Sequence, residues 1–256
     1  MVDTHCHLQF SEYDADRELV IKRMEASGIS RAIVVGTDVE SSALAVKLAE
    51  QYPHLYASVG IHPTEVAKSQ FHEDIKVLES LLHHPKVVAI GEVGLDYKVF
   101  DAQEPNRVLQ NECFIELIAL ANRAKLPVII HTRFADADLL EIIKTHKINK
   151  GGVIHCFDSD YRMAKSVLDL GLNISFTGMI TYSKKDQLRH VASRLPHDRV
   201  MLETDCPYLP PQSKRGERCE PKDVIETAGV LAELWRQDLA YVDKVTTENA
   251  KKLFGI

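Results

Sequence analysis

The stretch VDTHCH at residues 2–7 is short, begins with an apolar residue and carries two histidines two positions apart. Its composition and its place before a turn-like segment predict a β-strand. Side chains two positions apart on a strand point to the same side, so His5 and His7 would face one way with their Cα atoms about 7 Å apart. Cys6 would face the opposite way.

Seven further apolar, β-branched runs follow, separated by longer segments in which apolar residues recur at helical spacing. Strands that alternate with helices need crossover connections, which produce a parallel sheet. An open doubly wound sheet is the weaker alternative, because no GxGxxG follows the first run. The sequence therefore predicts an α/β protein, a single-domain (β/α)8 TIM barrel over residues 1–256. The predicted strand runs are 2–7, 31–37, 55–63, 87–96, 127–132, 151–157, 172–178 and 200–205, and helical segments include Asp16–Ser27, Val39–Tyr52, Glu112–Lys125 and Asp160–Leu170.

Composition restricts the possible function classes. A hydrophobic content of 45% in 256 residues is enough for a sizeable core, and a formal charge of −6 leaves no basic face that could hold nucleic acid by charge alone. Five cysteines form no even framework and no CxxC pair, which favours reduced thiols. No signal-peptide pattern or membrane-length apolar run occurs. We expect a cytoplasmic, monomeric protein that does not bind membranes.

Strong metal ligands fall at or near the carboxyl ends of five predicted strands. Any one of them alone is adequately explained as a hydrogen-bonded core or rim residue. Six at the same end of a barrel are harder to explain in that way, because burial of unpaired polar groups is costly. The six are His5, His7, Glu92, His131, His155 and Asp205.

Four imidazoles and two carboxylates exceed the ligand number of one tetrahedral zinc site. We therefore predict two divalent metal ions, with Glu92 as the bridging ligand because a carboxylate has two oxygens. Such a pair activates a water as the nucleophile, and Asp205 would accept its proton, so Asp205 and Glu92 are the predicted catalytic residues. Two dications against two carboxylates leave a surplus of roughly +2, which would attract a phosphodiester to an acidic protein.

Three residues are candidates for substrate binding. His62 follows the third strand and either contacts a phosphate or leaving group or merely caps the turn before Pro63. Arg133 either contacts a phosphate or forms a surface ion pair, and Arg215 lies in a loop, 207–221, expected at the catalytic rim.

Three residues next to the predicted ligands receive supporting or structural roles. Glu203 is expected to support the ligands, or else to pack in the lumen through a hydrogen bond, and Asp96 to orient a neighbour. Strand alternation predicts that Cys156 turns away from the lumen and belongs to the core.

Six motifs together resemble the TatD family of metal-dependent deoxyribonucleases, which lies within the amidohydrolase-like barrels. They are HCH at 5–7, GEVGLDY at 91–97, PVIIHTR at 127–133, IHCF at 154–157, LETDCPYL at 202–209 and TENAKKLF at 247–254. The resemblance implies DNA hydrolysis, often from a 3′ end, with magnesium as the usual metal. It also implies the same six ligands, whereas the histidine-rich set by itself favours zinc or manganese.

Two segments depart from the family pattern. The loop often written RGKRNEP is RGERCEP at 215–221, with Glu217 and Cys219 at the changed positions, and HCFSG is HCFDS, with Asp158 and Ser159. These changes add acid or remove hydrogen-bond donors near the expected phosphate pocket, so they bear on substrate preference.

Other functions remain open from the sequence. The same barrel and metals would also hydrolyse a small amide, ester or lactone, because an activated water attacks a carbonyl equally well. A catalytically silent metal-binding or nucleic-acid-binding protein would have lost a ligand or the proton acceptor, and all are present. A purely structural barrel gives no reason for the clustered ligands.

Overall fold

Eight parallel strands form one sheet in chain order in the computed structural model, which describes residues 1–68, 70–98 and 104–256. Helices follow the strands, so the predicted (β/α)8 barrel is confirmed. The strands are β1 (Val2–Cys6), β2 (Arg31–Val35), β3 (Leu55–Val59), β4 (Val87–Asp96), β5 (Val128–Arg133), β6 (Gly152–Ile154), β7 (Asn173–Phe176) and β8 (Val200–Leu202).

The helices that the apolar spacing predicts are present with small shifts at their ends. The largest difference is α4, which begins at Glu104 rather than near Glu112. The helices of the described ranges are α1 (Arg17–Ala26), α2 (Val39–Gln51), α3 (Phe71–Leu81), α4 (Glu104–Ala124), α5 (Asp136–Thr145), α6 (Tyr161–Asp169), α7 (Asp186–Ala192), α8 (Val224–Trp235) and α9 (Leu239–Phe254). Over these ranges, no helix combines the length and the apolar character that a membrane crossing requires.

The barrel closes between β8 and β1 through residues that lie mostly beyond the end of β8. The Asp205 amide donates to the His5 carbonyl and the His7 amide donates to the Cys206 carbonyl, both at 2.8 Å. The Asp3 carboxyl group lies below them and accepts from the Thr204 amide at 3.0 Å and the Thr204 hydroxyl at 2.6 Å. These bonds hold β1 and the segment that follows β8 next to each other.

Two apolar clusters divide the interior. The larger cluster lies between the strands and the helices. The smaller includes Val2, Ile33, Val35 and Met201 and is joined by Phe254 of α9.

An irregularity in β1 decides which way its histidines point. Val2 belongs to the smaller apolar cluster, so strict alternation from Val2 would turn His5 away from the same interior. The register with β2 shifts between Asp3 and Cys6, as in a β-bulge. The shift reverses the in-and-out alternation of the side chains that follow it, and His5 and His7 both face the interior.

An ion-pair network ties the loop after β8 to the start of α1. The Asp16 carboxylate accepts from both terminal nitrogens of Arg218 at 2.8 Å and from Arg23 at 3.1 Å. The Arg218 guanidinium also covers the Tyr13 ring at 4.5 Å from its centroid. The hydrogen bonds from Arg218 and Arg23 lower the pKa of Asp16 to about 2.

We predict that Asp16→Asn lowers the free energy of unfolding at pH 7 by about 1 kcal/mol, as expected for a partly exposed charge network. Because the folded-state pKa of Asp16 lies below its unfolded value, this contribution is present at neutral pH and fades as the pH falls from about 3.8 through 2. Urea denaturation at pH 7 and pH 3 measures both values.

The matched control is Asp186→Asn, because Asp186 pairs with Arg189 of the same helix and is 90% exposed. We expect that variant to change the free energy of unfolding by less than about 0.5 kcal/mol. An Asp16→Asn effect as large at pH 3 as at pH 7 would contradict the role given to this carboxylate.

Candidate metal centre

The six predicted ligands come together at one end of the barrel. His5 lies in β1 and His7 follows it, while Glu92 lies in the middle of β4 and His131 within β5. The backbones of β4 and β5 approach closely beside His131, because a Cβ at Gly94 would collide with the His131 carbonyl. His155 and Asp205 follow the ends of β6 and β8, since both strands are shorter than the sequence predicts.

Four ligand atoms form a first group, and one of them is an oxygen of Glu92. His5 Nε2 lies 3.2 Å from both His7 Nε2 and Glu92 Oε2. Asp205 Oδ1 lies 3.6 Å from His5 Nε2 and 3.3 Å from His7 Nε2. His7 Nε2 is 3.8 Å from Glu92 Oε2.

These separations fit a metal ion. Ligands at zinc-like bond lengths of about 2.0–2.1 Å in a tetrahedron are about 3.3 Å apart. The His7 Nδ1–H donates to the Val35 carbonyl at 2.8 Å, which leaves a lone pair on Nε2 pointing into the group. Converging lone pairs and carboxylate oxygens repel one another unless a cation lies between them.

The other oxygen of Glu92 faces a second group. Glu92 Oε1 lies 2.7 Å from His155 Nε2 and 2.9 Å from His131 Nδ1, and these two nitrogens are 3.2 Å apart. The two oxygens of one carboxylate therefore face different ligand groups, which is the geometry of a bridging ligand.

His62 also lies beside Glu92 but has a different hydrogen-bond pattern. Its Nδ1 accepts from the Thr64 amide at 3.2 Å and lies 2.7 Å from the Thr64 hydroxyl. Acceptance at Nδ1 places the imidazole hydrogen on Nε2, which is 3.4 Å from Glu92 Oε1. In this tautomer His62 is a hydrogen-bond donor to the site, although its side chain also lies close enough to Glu92 and His131 to share a cation with them.

The buried charges of the site stabilise one another. Burial alone would raise the pKa of Glu92, but the imidazoles of His155, His62 and His5 outweigh it and hold that pKa well below its usual range. Burial opposes protonation of His155, yet the Glu92 and Glu203 carboxylates raise its pKa well above the ordinary value. A metal ion would bind His155 in competition with a proton.

A cavity of about 540 Å³ opens over the ligand groups. It is lined by His7, Glu92, His131, His155 and Asp205 and by two of the predicted substrate-binding residues, His62 and Arg133. Arg133 is the sole lysine or arginine among the lining residues in the described part of the chain.

Arg215 does not line this cavity. Its guanidinium lies over the Tyr182 ring, 4.5 Å from the centroid. Its contact with substrate stays a prediction from the sequence.

The sequence model described as TatD related DNase matches residues 2–255. The chain belongs to the TatD family.

Relatives from the TatD family match the chain over nearly its whole length. YabD of Bacillus subtilis strain 168 and YcfH of Escherichia coli K12, both metal-dependent hydrolases by name, are 39% and 36% identical to it over 257 and 263 residues. The matches cover 100% of this chain and 99% and 96% of the relatives. The solved structure of YjjV, a TatD homologue from E. coli K12, is 33% identical in sequence to this chain and superimposes on it with a TM-score of 0.95. The match covers 100% of this chain and 98% of the YjjV chain. The TatD-family chain is thus a metal-dependent hydrolase.

Three further carboxyl groups support the ligands of this TatD-family site. Glu203 accepts from the Ser175 hydroxyl and the Cys156 amide, both at 2.6 Å, and lies 3.3 Å from His155 Nδ1. The predicted support by Glu203 is thus an electrostatic contact with His155 that is not aligned as a hydrogen bond, whereas Asp96 Oδ2 lies at hydrogen-bond distance, 3.2 Å, from His131 Nε2.

The third carboxyl group, that of Asp3, is not among the residues that the sequence predicts for the site. Asp3 accepts from the His5 amide at 3.2 Å, and burial raises its pKa to about 8. The sequence carried a signal for it, an acid two positions before His5 in a buried strand, but its partner Thr204 is 201 residues away.

Two of the four departures from the family pattern, Asp158 and Ser159, have neighbouring partners. Both oxygens of Asp158 pair with Lys185 Nζ, at 2.5 and 2.6 Å, and Ser159 donates to Asp136 at 2.7 Å. Cys219 is buried, and Glu217 is exposed. The added acid at Asp158 is therefore neutralised beside the cavity.

The prediction that Cys156 turns away from the lumen is wrong. Cys156 lines the cavity and is half-buried. It follows β6 rather than lying in it, and its φ of +47° breaks the alternation on which the prediction depended.

We predict that Glu203→Gln weakens metal affinity about 10–100-fold, because the neutral amide no longer orients and polarises His155. Competition with a chromophoric chelator at pH 7 measures the affinity. Glu248→Gln, on the exposed side of α9, is the control and should leave it unchanged. Equal affinities for Glu203→Gln and the unmodified protein would exclude the supporting role of Glu203.

Proposed function

We propose that this protein is a divalent-metal-dependent deoxyribonuclease that hydrolyses phosphodiester bonds, acting on DNA ends from the 3′ side. The observation that carries the proposal is the Glu92 carboxylate, whose two oxygens face two ligand groups at the floor of a cavity lined by Arg133. Two linked cation sites suit in-line displacement at phosphorus. The matching family, TatD related DNase, supports the same chemistry by its name.

Two divalent ions would occupy the site, held by His5, His7, Glu92, His131, His155 and Asp205. The imidazole-rich set suits Zn²⁺ or Mn²⁺, and the family resemblance favours Mg²⁺. When bound, such ions acidify a water and neutralise charge on a phosphate.

The side chains of the protein supply the remaining chemistry. Asp205 Oδ1 belongs to the first ligand group and lies at the cavity, so it can accept the proton of the attacking water. The His62 Nε2–H is in place to donate to a phosphate oxygen or the leaving oxygen. Arg133 offers two parallel N–H groups to a phosphate.

Charge makes Arg133 more important than the sequence indicated. Glu92, Asp205, Asp96 and Glu203 all lie in or against the site, so two dications would balance four carboxylates rather than two. The surplus of about +2 expected from the sequence disappears. Attraction of an anionic substrate then depends on the metals being locally exposed and on Arg133.

We expect the metal-loaded protein to hydrolyse 3′-labelled single-stranded or duplex DNA and to leave cyclic amides, esters and lactones intact. Asp205→Asn is the control for contaminating nucleases and should lose about 100-fold or more of the activity, because it lacks the proton acceptor. Gel analysis of the labelled DNA and spectrophotometry of the carbonyl panel are the measurements. Turnover of a carbonyl substrate with DNA left intact would refute the nuclease proposal.

Metal titration tests the bridging role of Glu92. Zn²⁺ or Mn²⁺ should saturate the metal-free protein at about two ions per chain, and Glu92→Gln should bind at most one tightly, since an amide oxygen bridges poorly. Calorimetry combined with metal analysis gives the stoichiometry. Saturation of the unmodified protein at one ion would rule out the bridge.

A further inference from the structure

An aromatic corner stands beside the first ligand group, made of the rings of Phe10 and Tyr208. Both line the cavity, and their centroids are 6.5 Å apart with an angle of 69° between the ring planes. The Phe10 ring also stacks on the His7 imidazole, with centroids 4.6 Å apart and planes 6° from parallel. Phe10 therefore touches a residue of the metal centre directly.

Each ring is held by a turn that begins at a metal ligand. The Phe10 amide donates to the His7 carbonyl at 3.0 Å, and the Tyr208 amide donates to the Asp205 carbonyl at 3.0 Å. Both aromatic residues thus come three positions after a ligand. Their distance from the ligand atoms is set by two short, hydrogen-bonded pieces of backbone.

The turn before α1 is braced by Arg17. Its guanidinium donates to the carbonyls of Leu8 at 2.7 Å, Gln9 at 3.3 Å and Phe10 at 3.0 Å. On the other side, the Cys219 amide donates to the Pro207 carbonyl at 3.1 Å and fixes the turn that carries Tyr208. The corner is therefore built before any ligand arrives, which lowers the entropic cost of binding.

The corner exposes apolar surface that its own neighbours do not cover. Tyr208 is 50% exposed, and Met179 and Leu209 line the cavity with it. The Tyr208 hydroxyl has no hydrogen-bond partner among the described residues. An exposed aromatic wall of this kind binds a flat, apolar group, and planar rings stack on aromatic side chains.

We propose that Phe10 and Tyr208 form the binding site for the nucleobase of the nucleotide whose phosphate lies at the metal centre. This inference rests on the proposed function and names the part of the substrate that gives it affinity. Stacking is tolerant of sequence because every base has a π-face, and it requires a base free of its helix. The enzyme would accordingly act on unpaired ends and show little preference among the four bases.

A binding experiment that needs no hydrolysis tests the corner. The probes are 2′-deoxyadenosine 5′-monophosphate and 2-deoxyribose 5-phosphate, titrated by calorimetry into protein loaded with Mn²⁺. The nucleotide should bind about tenfold more tightly than the sugar phosphate, as expected for one stacked base. Tyr208→Leu should reduce that preference to within about twofold and leave sugar-phosphate binding unchanged, whereas Tyr208→Phe should retain it.

The matched control is Tyr161→Leu, because Tyr161 is 39% exposed on α6 and does not line the cavity. That variant should keep the full preference for the nucleotide. Any one of three results would overturn the proposal. The two probes could bind the unmodified protein equally, the preference could survive in Tyr208→Leu, or both probes could fail to bind at millimolar concentration.

Kinetics separates this proposal from the nuclease proposal. On single-stranded DNA, Tyr208→Leu should raise KM about tenfold with little change in kcat, and it should have no effect when the terminal nucleotide lacks its base. Unchanged KM for Tyr208→Leu on ordinary DNA would leave the nuclease standing and refute the aromatic corner. A nucleotide preference that depends on Tyr208, in protein that cuts no DNA, would support the corner and refute the nuclease.

Discussion

The two 2.8 Å backbone hydrogen bonds between β1 and the segment after β8 are the contact on which the site depends. They join His5 to Asp205 and His7 to Cys206, residues about 200 positions apart in the chain, and the buried Asp3–Thr204 contact reinforces them. Without this closure the first ligand group would lose either its imidazoles or its second carboxylate. The same closure places the turns that carry Phe10 and Tyr208 next to each other.

Charge balance within the site follows from that convergence. Imidazoles and carboxylates packed at 2.7–3.8 Å are tolerable because burial, which disfavours every isolated charge, is opposed by neighbours of opposite sign. At His155, burial lowers the pKa, but the Glu92 and Glu203 carboxylates outweigh burial and raise that pKa well above its ordinary value. A cation held by these residues would compete with the protons on the imidazoles.

The rim around the metal centre contains residues that hold its loop in place and residues that line the cavity. Arg218, in the loop expected at the catalytic rim, binds Asp16 and covers Tyr13, so it holds the loop in place rather than facing a substrate. Arg133 and His62 do line the cavity. The rim thus positions a small number of polar contacts beside an apolar wall, the usual composition of a specific ligand site.

The sequence by itself determined the barrel, its strand order and the identity of the six candidate ligands. These follow from short-range patterns, apolar runs alternating with helical segments, and from the rule that parallel strands end on the same side of a barrel. The tertiary structure decided what depends on partners distant in the chain. The bulge in β1 sets the direction of His5, Thr64 fixes the tautomer of His62, Lys185 neutralises Asp158, and the left-handed backbone turns Cys156 into the cavity. These hydrogen bonds, ion pairs and changes in side-chain alternation form between residues that only the folded chain brings together. The spacing of residues along the sequence therefore does not reveal them.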